Sequence, residues 1–366
     1  MSTRPKGGHR VLVLYTELAP YLMACLERLV ADHAVEVHVV RWPVNAEAPF
    51  QLDVGADIHL YERSELNDER LLTLCEGLRP DLVLCSGWVD KGYLKVCRAL
   101  YAVGATTVMC SDTAWRGDLR QYAAIIAAQP WLRRTFGHAW VSGKAQARYA
   151  HNLGFDRKRI HTGFYSADVD RFSPLAAALE GSKRERFPHR FLCVARYIPS
   201  KGHQLLCDAF AQLQEEGGAG DWELWIAGTG ELFEQVTCSA SGRHPKVRHL
   251  GFVQAGDMPG IMDQCGVFVL PSSYEPWGVV VHEHAAAGFP LLLSDAVGAG
   301  ERFLEEGTNG HTFAANDREQ LIACMRRIVE AGDDRLLEMG RQSARLGTRW
   351  DPRAWSATLM TLLRGT

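Results

Sequence analysis

Short apolar runs alternate with longer amphipathic stretches along most of the chain. In the first half the runs predicted to be strands are Val11–Leu14, Val35–Val40, Asp81–Cys85, Thr107–Cys110 and Ala139–Val141. In the second half they are Phe191–Ala195, Glu223–Ala227, Val247–Leu250, Val267–Leu270 and Leu291–Leu293. Continuous apolar strands that alternate with helices are typical of parallel sheets covered by helices on both faces. So many strands over 366 residues predict two doubly wound α/β domains rather than one.

Composition limits the classes of function. The chain is 47% hydrophobic and 23% charged, with a net charge of −3, so it has no general basic character for binding nucleic acid. The segment Met1–Arg10 is polar and does not resemble a signal peptide, and no apolar run reaches the length of a membrane-spanning helix. The 10 cysteines are scattered without metal-ligand spacing. These features predict a reduced, cytoplasmic protein.

The segment Pro271–Glu283 carries the most informative chemistry. It follows the predicted strand Val267–Leu270 and places Glu275 and Glu283 on either side of a Pro-Trp-Gly turn that opens a helix. Free backbone N–H groups at a helix N-terminus favour an anion, whereas carboxylates beside a phosphate suit neutral hydroxyl groups. The combination predicts a sugar nucleotide site. For two isolated glutamates, an acidic first helical turn would be the alternative.

The spacing of Glu275 and Glu283 and their strand–turn–helix context resemble the Glu-x7-Glu motif of retaining glycosyltransferases of the GT-B fold, family 4. The resemblance implies an α/β fold of two Rossmann-like domains facing across a cleft. It also implies transfer of a hexose from a nucleoside diphosphate sugar, with UDP favoured over GDP, to an acceptor hydroxyl. In that family the first glutamate contacts the donor sugar and the second contacts the ribose.

The resemblance extends over most of the second half. Val194–Gly202 is similar to the family's Gly-Arg-x4-Lys-Gly signature, with Ala195 at the first glycine, and implies that Arg196 and Lys201 bind the diphosphate and stabilise the leaving group. The other implied donor contacts are Gly228, Phe252, Trp277, Gly278 and Val279. For a lone arginine and lysine, two solvated cations would be the alternative. Ordinary turn chemistry is the alternative for the glycines.

The predicted domains are residues 1–172, on the acceptor side, and residues 173–349, on the donor side. The break is placed in the polar stretch Tyr165–Arg190, which contains the charge run Lys183–Arg186. By the resemblance, a C-terminal helix within 350–366 returns to complete the first domain.

The first half departs from the family pattern. The segment after the first strand, Tyr15–Tyr21, lacks a Gly-Gly turn and contains Glu17. Where related enzymes often have a functional histidine, this chain has Asp112, which is predicted to orient the acceptor hydroxyl or the donor sugar. Trp88 is a candidate for stacking on a sugar ring. Local loop capping is the alternative for these residues.

Two segments invite a metal interpretation, and neither supports one. His282 and His284 do not have the spacing of a metal pair on one helix face. Asp168-Val-Asp170 resembles an Asp-x-Asp metal motif, but it lies in a segment similar to the family's interdomain connection. We therefore expect no metal and no cofactor other than the sugar nucleotide substrate, since Arg196 and Lys201 supply positive charge.

Residues 133–159 hold seven Lys or Arg residues and a single acid, Asp156, with Trp131, Leu132 and Phe136 nearby. Two interpretations stay open, a face for anionic lipid headgroups or an anionic acceptor, and a solvated basic face. The first predicts peripheral contact with the inner face of the cytoplasmic membrane and a glycan or lipid-linked acceptor. Surface polysaccharide, lipopolysaccharide or glycolipid assembly is the expected setting. The rival functions are a non-catalytic nucleotide-sugar-binding protein and a nucleotide-sugar epimerase.

Overall fold

The computed structural model describes residues 8–44, 55 and 57–365. The chain divides into two compact units, of which the first contains the described residues up to Ser166 and from Trp350 onward, and the second contains Ala167–Arg349. The predicted boundary at 172/173 falls inside a helix, Val169–Glu185, of the second unit. The polar stretch Tyr165–Arg190 thus holds a helix, because Val169, Phe172 and Leu179 give it a buried face.

The first unit is a seven-stranded parallel sheet with the strand order β3-β2-β1-β4-β5-β6-β7. Its strands are β1 His9–Tyr15, β2 Val35–Arg41, β3 Ile58–Glu62, β4 Leu82–Ser86, β5 Thr106–Ser111, β6 His138–Val141 and β7 Ile160–Thr162. Its helices are α1 Pro20–Asp32, α2 Asp68–Leu78, α3 Lys91–Ala102, α4 Leu119–Leu132, α5 Lys144–Asn152 and α14 Pro352–Arg364.

Alternating side chains of β1 divide the core of this unit between the two faces of the sheet. Val11 and Val13 lie in one buried cluster with residues of α1 and α14. Leu12 and Leu14 lie in the other, with residues of α2, α3, α4 and α5. In α14, Trp355 is fully buried and its Nε1 donates to the Phe164 carbonyl at 2.7 Å. This C-terminal helix is therefore part of the first unit's core.

The second unit is a six-stranded parallel sheet with the strand order β10-β9-β8-β11-β12-β13. Its strands are β8 Arg190–Val194, β9 Glu223–Ala227, β10 Val247–Gly251, β11 Val267–Leu270, β12 Leu291–Ser294 and β13 Gly310–Phe313. Its helices are α6 Val169–Glu185, α7 His203–Glu215, α8 Phe233–Thr237, α9 Met258–Met262, α10 Val279–Ala286, α11 Gly300–Phe303, α12 Arg318–Glu330 and α13 Asp333–Gly347.

The fold prediction is confirmed, since each apolar run predicted to be a strand overlaps a strand of a parallel sheet. The structure adds β3, β7 and β13, which lie at sheet edges. Edge strands have one unpaired side and keep polar or half-exposed residues, so their apolar signal is weak. Among the described residues, no helix combines the length and the apolar character that crossing a bilayer requires.

Candidate active site

The predicted donor residues of the second unit lie beyond the carboxyl ends of neighbouring strands. Arg196 and Lys201 follow β8, Gly228 follows β9, Phe252 follows β10, and Glu275 follows β11. Because these four strands are consecutive in the sheet, their loops meet at one edge. Ligands of open α/β sheets bind at this edge, so the topology brings the predicted site residues of this unit together.

The loop after β8 is held by backbone contacts. A short 3₁₀ helix, Pro199–Lys201, leads into Gly202, whose φ of 72° is a left-handed conformation. A Cβ at Gly202 would lie 2.5 Å from the Pro271 carbonyl oxygen, so only glycine allows α7 to start this close to the loop after β11. Ser200 also accepts a hydrogen bond from the Ser273 N–H at 2.8 Å. The two loops are therefore in direct contact.

The loop after β9 approaches the loop after β8 at Gly228. Its φ is 137°, and a Cβ there would lie 2.0 Å from the Ala195 carbonyl oxygen. The Gly228 N–H donates to the Gly251 carbonyl at 2.7 Å, which links this turn to the end of β10 just before Phe252. This glycine therefore allows three strand ends to converge.

Glu275 is fixed at its backbone by the loop after β12. Its N–H donates to the Ala296 carbonyl at 3.2 Å, and its own carbonyl accepts from the Gly298 N–H at 3.0 Å. Its carboxylate accepts a hydrogen bond from Lys201 Nζ. The Lys201 and Glu275 side chains are 14% and 13% exposed, so this ion pair is largely desolvated and both groups are oriented.

Helix α10 begins at Val279, directly after Gly278, whose φ of 91° is left-handed. No side chain caps the first turn, and of its N–H groups that of Val281 donates to the Gly278 carbonyl at 3.0 Å, so an anion would be met by the N–H groups before it. Trp277, by contrast, has a buried side chain that packs edge-on against Phe303. The predicted donor contact of Trp277 is thus restricted to its backbone, because the indole belongs to the core.

Glu283 lies on the second turn of α10 in a desolvated environment. Burial is the largest cause that raises the pKa of this carboxyl, Arg171 lowers it and Asp168 raises it, and the resulting pKa is about 7. Burial also raises the pKa of Asp168. A carboxyl group whose charge is this costly suits hydrogen bonding with neutral hydroxyls better than pairing with another anion.

The histidines that flank Glu283 have structural partners. His282 Nδ1 accepts from the Ala167 N–H at 2.9 Å, and its Nε2 lies 2.7 Å from the Gly347 carbonyl. His284 Nδ1 lies 2.8 Å from the Val280 carbonyl. His282 thus ties α10 to the start of α6 and the end of α13, which orients the helix that carries Glu283.

Asp112 in the first unit lies beside a cluster of tyrosines. Its Oδ2 accepts from the Tyr165 hydroxyl at 3.3 Å, and its backbone carbonyl accepts from Gln146 Nε2 at 3.2 Å. The Tyr165 ring packs edge-on against Tyr21 at 5.4 Å. Burial raises the pKa values of Tyr15 and Tyr165, so these hydroxyls stay protonated and can donate. The carboxylate of Asp112 is therefore oriented rather than freely rotating.

Trp88 is half-buried beyond β4, where its ring meets Trp131 and Tyr149 edge-on at 6.3 Å each.

Of the residues predicted near the basic segment, Leu132 and Phe136 are buried in the core and cannot meet a partner. Arg133 and Arg134 are exposed.

One group in the described residues brings three metal-ligating side chains together, namely Glu36, His38 and His59 on β2 and β3. Both Arg10 nitrogens that reach Glu36 bind the same oxygen, Oε2, at 2.9 and 2.7 Å, and Oε1 lies 3.0 Å from His38 Nε2. The two imidazole rings stack at 4.6 Å. The group is a hydrogen-bonded network of the sheet edge.

Some neighbours of the site were not found from sequence. Arg171 interacts with Glu283, and Tyr165 binds Asp112, although each partner is distant in the chain. No local spacing marks these pairs, because only tertiary packing brings them together.

Residues 188–331 match the family of glycosyl transferases group 1. Phosphatidyl-myo-inositol mannosyltransferase of Mycobacterium leprae is 30% identical over 266 residues, which cover 71% of this chain and 64% of that protein. Mannosylfructose-phosphate synthase of Agrobacterium fabrum is 29% identical over 212 residues, which cover 54% of this chain and 46% of that protein. The chain thus spans less than two thirds of the length of either relative.

Among solved structures, Anabaena HepE in complex with UDP and glucose superposes with a TM-score of 0.72 and 16% identity, covering 97% of this chain and 99% of that chain. This likeness shows the GT-B fold. The family match and the curated relatives named above are all to glycosyltransferases or sugar-transferring synthases. Family 4 within that class, retention of configuration, and the site residues stay predictions.

Proposed function

We propose that this chain transfers a hexose from a nucleoside diphosphate sugar, UDP-linked rather than GDP-linked, to an acceptor hydroxyl with retention at the anomeric carbon. The observation that carries the proposal is the Lys201–Glu275 ion pair at the strand ends of the second unit. The Lys201 ammonium group suits phosphate oxygens, and the Glu275 carboxylate suits sugar hydroxyls. A sugar nucleotide presents these two groups side by side at the bond that breaks.

The proposed mechanism uses fixed positive charge. As the anomeric C–O bond breaks, the bonding electrons pass to the diphosphate, whose growing charge Arg196, Lys201 and the first N–H groups of α10 stabilise. We assign Glu275 to the sugar hydroxyls and Glu283 to the ribose diol. With these cations in place, the proposed reaction is metal-independent.

Retention follows if the acceptor attacks the face from which the diphosphate leaves. In our proposal the departing phosphate oxygen takes the acceptor proton, which removes the need for a protein base. Asp112, held by Tyr165, orients the acceptor hydroxyl or the donor sugar. Glu275 acts by positioning.

For the acceptor we propose a glycan or a lipid-linked glycan, in surface polysaccharide, lipopolysaccharide or glycolipid assembly at the cytoplasmic side of a membrane. The relative from Mycobacterium leprae is named for a phosphatidyl-myo-inositol substrate, which supports a lipid-linked acceptor. The UDP donor class is supported by the HepE structures with UDP and UDP-glucose.

Donor class is tested by thermal denaturation with UDP, GDP, ADP and CMP, on wild type and on Glu283→Ala. A nucleotide at 100 times its Kd adds about 2.7 kcal/mol to the free energy of unfolding. We expect UDP to raise the Tm of wild type most, and to raise that of Glu283→Ala less. An unchanged Tm with every diphosphate would remove the donor site from consideration.

Turnover is then tested with UDP-hexoses and GDP-hexoses, with and without lipid-linked acceptors, by release of nucleoside diphosphate. We expect release that depends on the acceptor and persists in a chelator, and a product whose anomeric configuration matches the donor by NMR. Conversion of the donor sugar without an acceptor would indicate an epimerase. Binding without any conversion would indicate a nucleotide-sugar-binding protein.

A further inference from the structure

Helix α4 of the first unit presents an apolar stripe to solvent. Leu119, Tyr122 and Ile126 are 88%, 52% and 80% exposed. The stripe consists of these residues and three further exposed ones at helical spacing: Leu119, Tyr122, Ala123, Ile126, Ala127 and Pro130. Large apolar side chains grouped on one exposed face are typical of an interaction surface rather than of scattered surface residues.

The opposite face of α4 anchors the helix. Ala128 and Leu132 are buried in the core cluster that contains Leu12 and Leu14 of β1. The buried amide of Gln121 donates to the Ala114 carbonyl at 2.7 Å and accepts from the Arg116 N–H at 2.7 Å. Asp118 caps the first turn by accepting from the Gln121 N–H at 2.8 Å. The stripe is thus held outward by a fixed helix.

The stripe is bordered by positive charge. Four exposed arginines lie before, within and after the helix: Arg116, Arg120, Arg133 and Arg134. Residues 119–134 contain no acid, and the one acid just before them, Asp118, is the helix cap. An apolar strip with a cationic border is complementary to an anionic lipid surface, where headgroups meet the arginines and acyl chains meet the apolar side chains.

The length of α4 decides how it would meet a bilayer. Its 14 residues correspond to a length of about 21 Å. The hydrocarbon core of a bilayer is roughly 30 Å thick, so the helix is too short to span it. Its buried face also belongs to the domain core. The helix is therefore suited to lie in the plane of the interface with only its stripe inserted.

A second copy of the chain suits this surface less well. A two-fold contact through the stripe would bring the same arginines of both copies together, and like charges across an interface oppose association. The charge pattern thus selects an anionic membrane over self-association.

We propose that helix α4 docks the protein on anionic membranes by inserting the stripe into the lipid interface. The apolar contact with lipid thus lies before the basic segment 133–159. That segment contributes Arg133 and Arg134 to the charged border, while Leu132 before it and Phe136 within it are buried. The inference concerns binding to lipid alone and does not depend on the donor chemistry.

The test is co-sedimentation with vesicles of phosphatidylglycerol and phosphatidylcholine in equal parts, against vesicles of phosphatidylcholine alone. We expect wild type to bind the anionic vesicles, and Leu119→Ser/Ile126→Ser to bind about 10- to 100-fold more weakly, because two inserted side chains are lost. Val103→Ser is the matched control, since Val103 is 81% exposed at the end of α3 and outside the stripe. Equal Tm values will show that all three proteins are folded.

The charged border has its own variant. Arg120→Glu/Arg134→Glu keeps the stripe and reverses two charges, so its binding to anionic vesicles should be at least tenfold weaker than that of wild type. Binding of wild type should also fall by at least tenfold when the salt concentration rises from about 0.05 M to about 0.5 M, because salt screens the arginines.

Insertion is read directly with a fluorescent label. Cys238 is exposed and the other cysteines are buried, so Cys238→Ser provides a background for labelling. An environment-sensitive dye at Ile126→Cys should shift to shorter wavelength on anionic vesicles, while the same dye at Val103→Cys should not. The proposal is overturned if wild type does not bind anionic vesicles, or if Leu119→Ser/Ile126→Ser binds them as tightly as wild type does. It is also overturned if wild type is a dimer in solution and Leu119→Ser/Ile126→Ser is a monomer.

Discussion

The two units of this protein share an architecture but differ in how they carry their chemistry. In the second unit the candidate donor residues lie in short loops fixed by backbone contacts, as at Gly228 and at Glu275. In the first unit Asp112 depends on side chains from distant segments, and α4 exposes apolar residues. The family match covers residues 188–331, within the second unit.

The difference follows from what each unit is proposed to recognise. A nucleoside diphosphate is bound largely through helix N-termini, a few cations and close backbone approach, which demand glycines and charges at fixed spacing. An acceptor and a membrane surface can be met by many arrangements of side chains. We therefore expect changes in the second unit to affect the nucleotide and the fold, and changes in the first to affect transfer and lipid binding.

The largest effect should come from the ion pair. Lys201→Met removes the cation that we assign to the leaving diphosphate and leaves the largely desolvated Glu275 unpaired. We expect the rate of sugar transfer to fall by about 10²–10³-fold, the usual loss for a fixed stabilising group. Lys95→Met, which removes an exposed lysine of the first unit that pairs with Asp68 on α2, should leave the rate unchanged. A Lys201→Met enzyme with the wild-type rate would contradict the assignment.

The next effect is on stability and tests the backbone contacts of the second unit. Gly228→Ala puts a Cβ 2.0 Å from the Ala195 carbonyl oxygen at a φ of 137°, so the free energy of unfolding should drop by about 2–4 kcal/mol. Gly260→Ala, where a Cβ meets nothing within 4 Å, is the control. The two variants are compared by calorimetric Tm, and equal values would show that the close approach is not needed.

The sequence predicted those parts of the molecule that local pattern determines. The strands of both sheets are apolar runs, and Lys201 and Glu275 sit in loops directly after such strands, so the topology brings them together. The edge strand β3 has no continuous apolar run to mark it, because only Ile58 is buried and His59 is exposed. The predicted domain break falls within helix α6, because the many polar residues of this helix obscure its buried face in the sequence pattern.

Other features depend on tertiary contacts and could not be predicted. The burial of Trp277, which stands within the donor motif, is set by packing on Phe303. The stripe on α4 has the apolar content of a core helix, and only the solvent exposure of Leu119 and Ile126 shows that it faces outward.

A smaller effect is expected in the first unit. Asp112→Asn keeps the shape of the side chain but removes its charge, while Tyr165 can still donate to it. We expect kcat to fall by about tenfold to hundredfold with the Kd for UDP unchanged, since this unit is assigned to orientation rather than to the nucleotide. Tyr165→Phe should produce part of the same loss. A weaker Kd for UDP in Asp112→Asn would show that the two units do not divide the work in this way.

The smallest effect is the pH dependence of stability at Glu283. Burial raises its pKa from 4.5 to about 7, so the folded protein favours the protonated carboxyl. The stability that this gives is fully present below pH 4.5 and is lost as the pH rises through 7, where the buried group must ionise. Glu283→Gln has no charge to lose, so the Tm of the variant relative to wild type should be higher at pH 8 than at pH 5.

The expected difference is on the order of 2–4 °C, the shift that about 1 kcal/mol produces in a domain of this size. Glu330→Gln, at the exposed end of α12, is the matched control and should show no such dependence. If UDP also raises the Tm of Glu283→Gln less than that of wild type, the same carboxyl that weakens the fold at high pH is the one that binds the ribose. A pH-independent Tm difference would mean that Glu283 reaches solvent freely, and the desolvated ribose contact would then have to be abandoned.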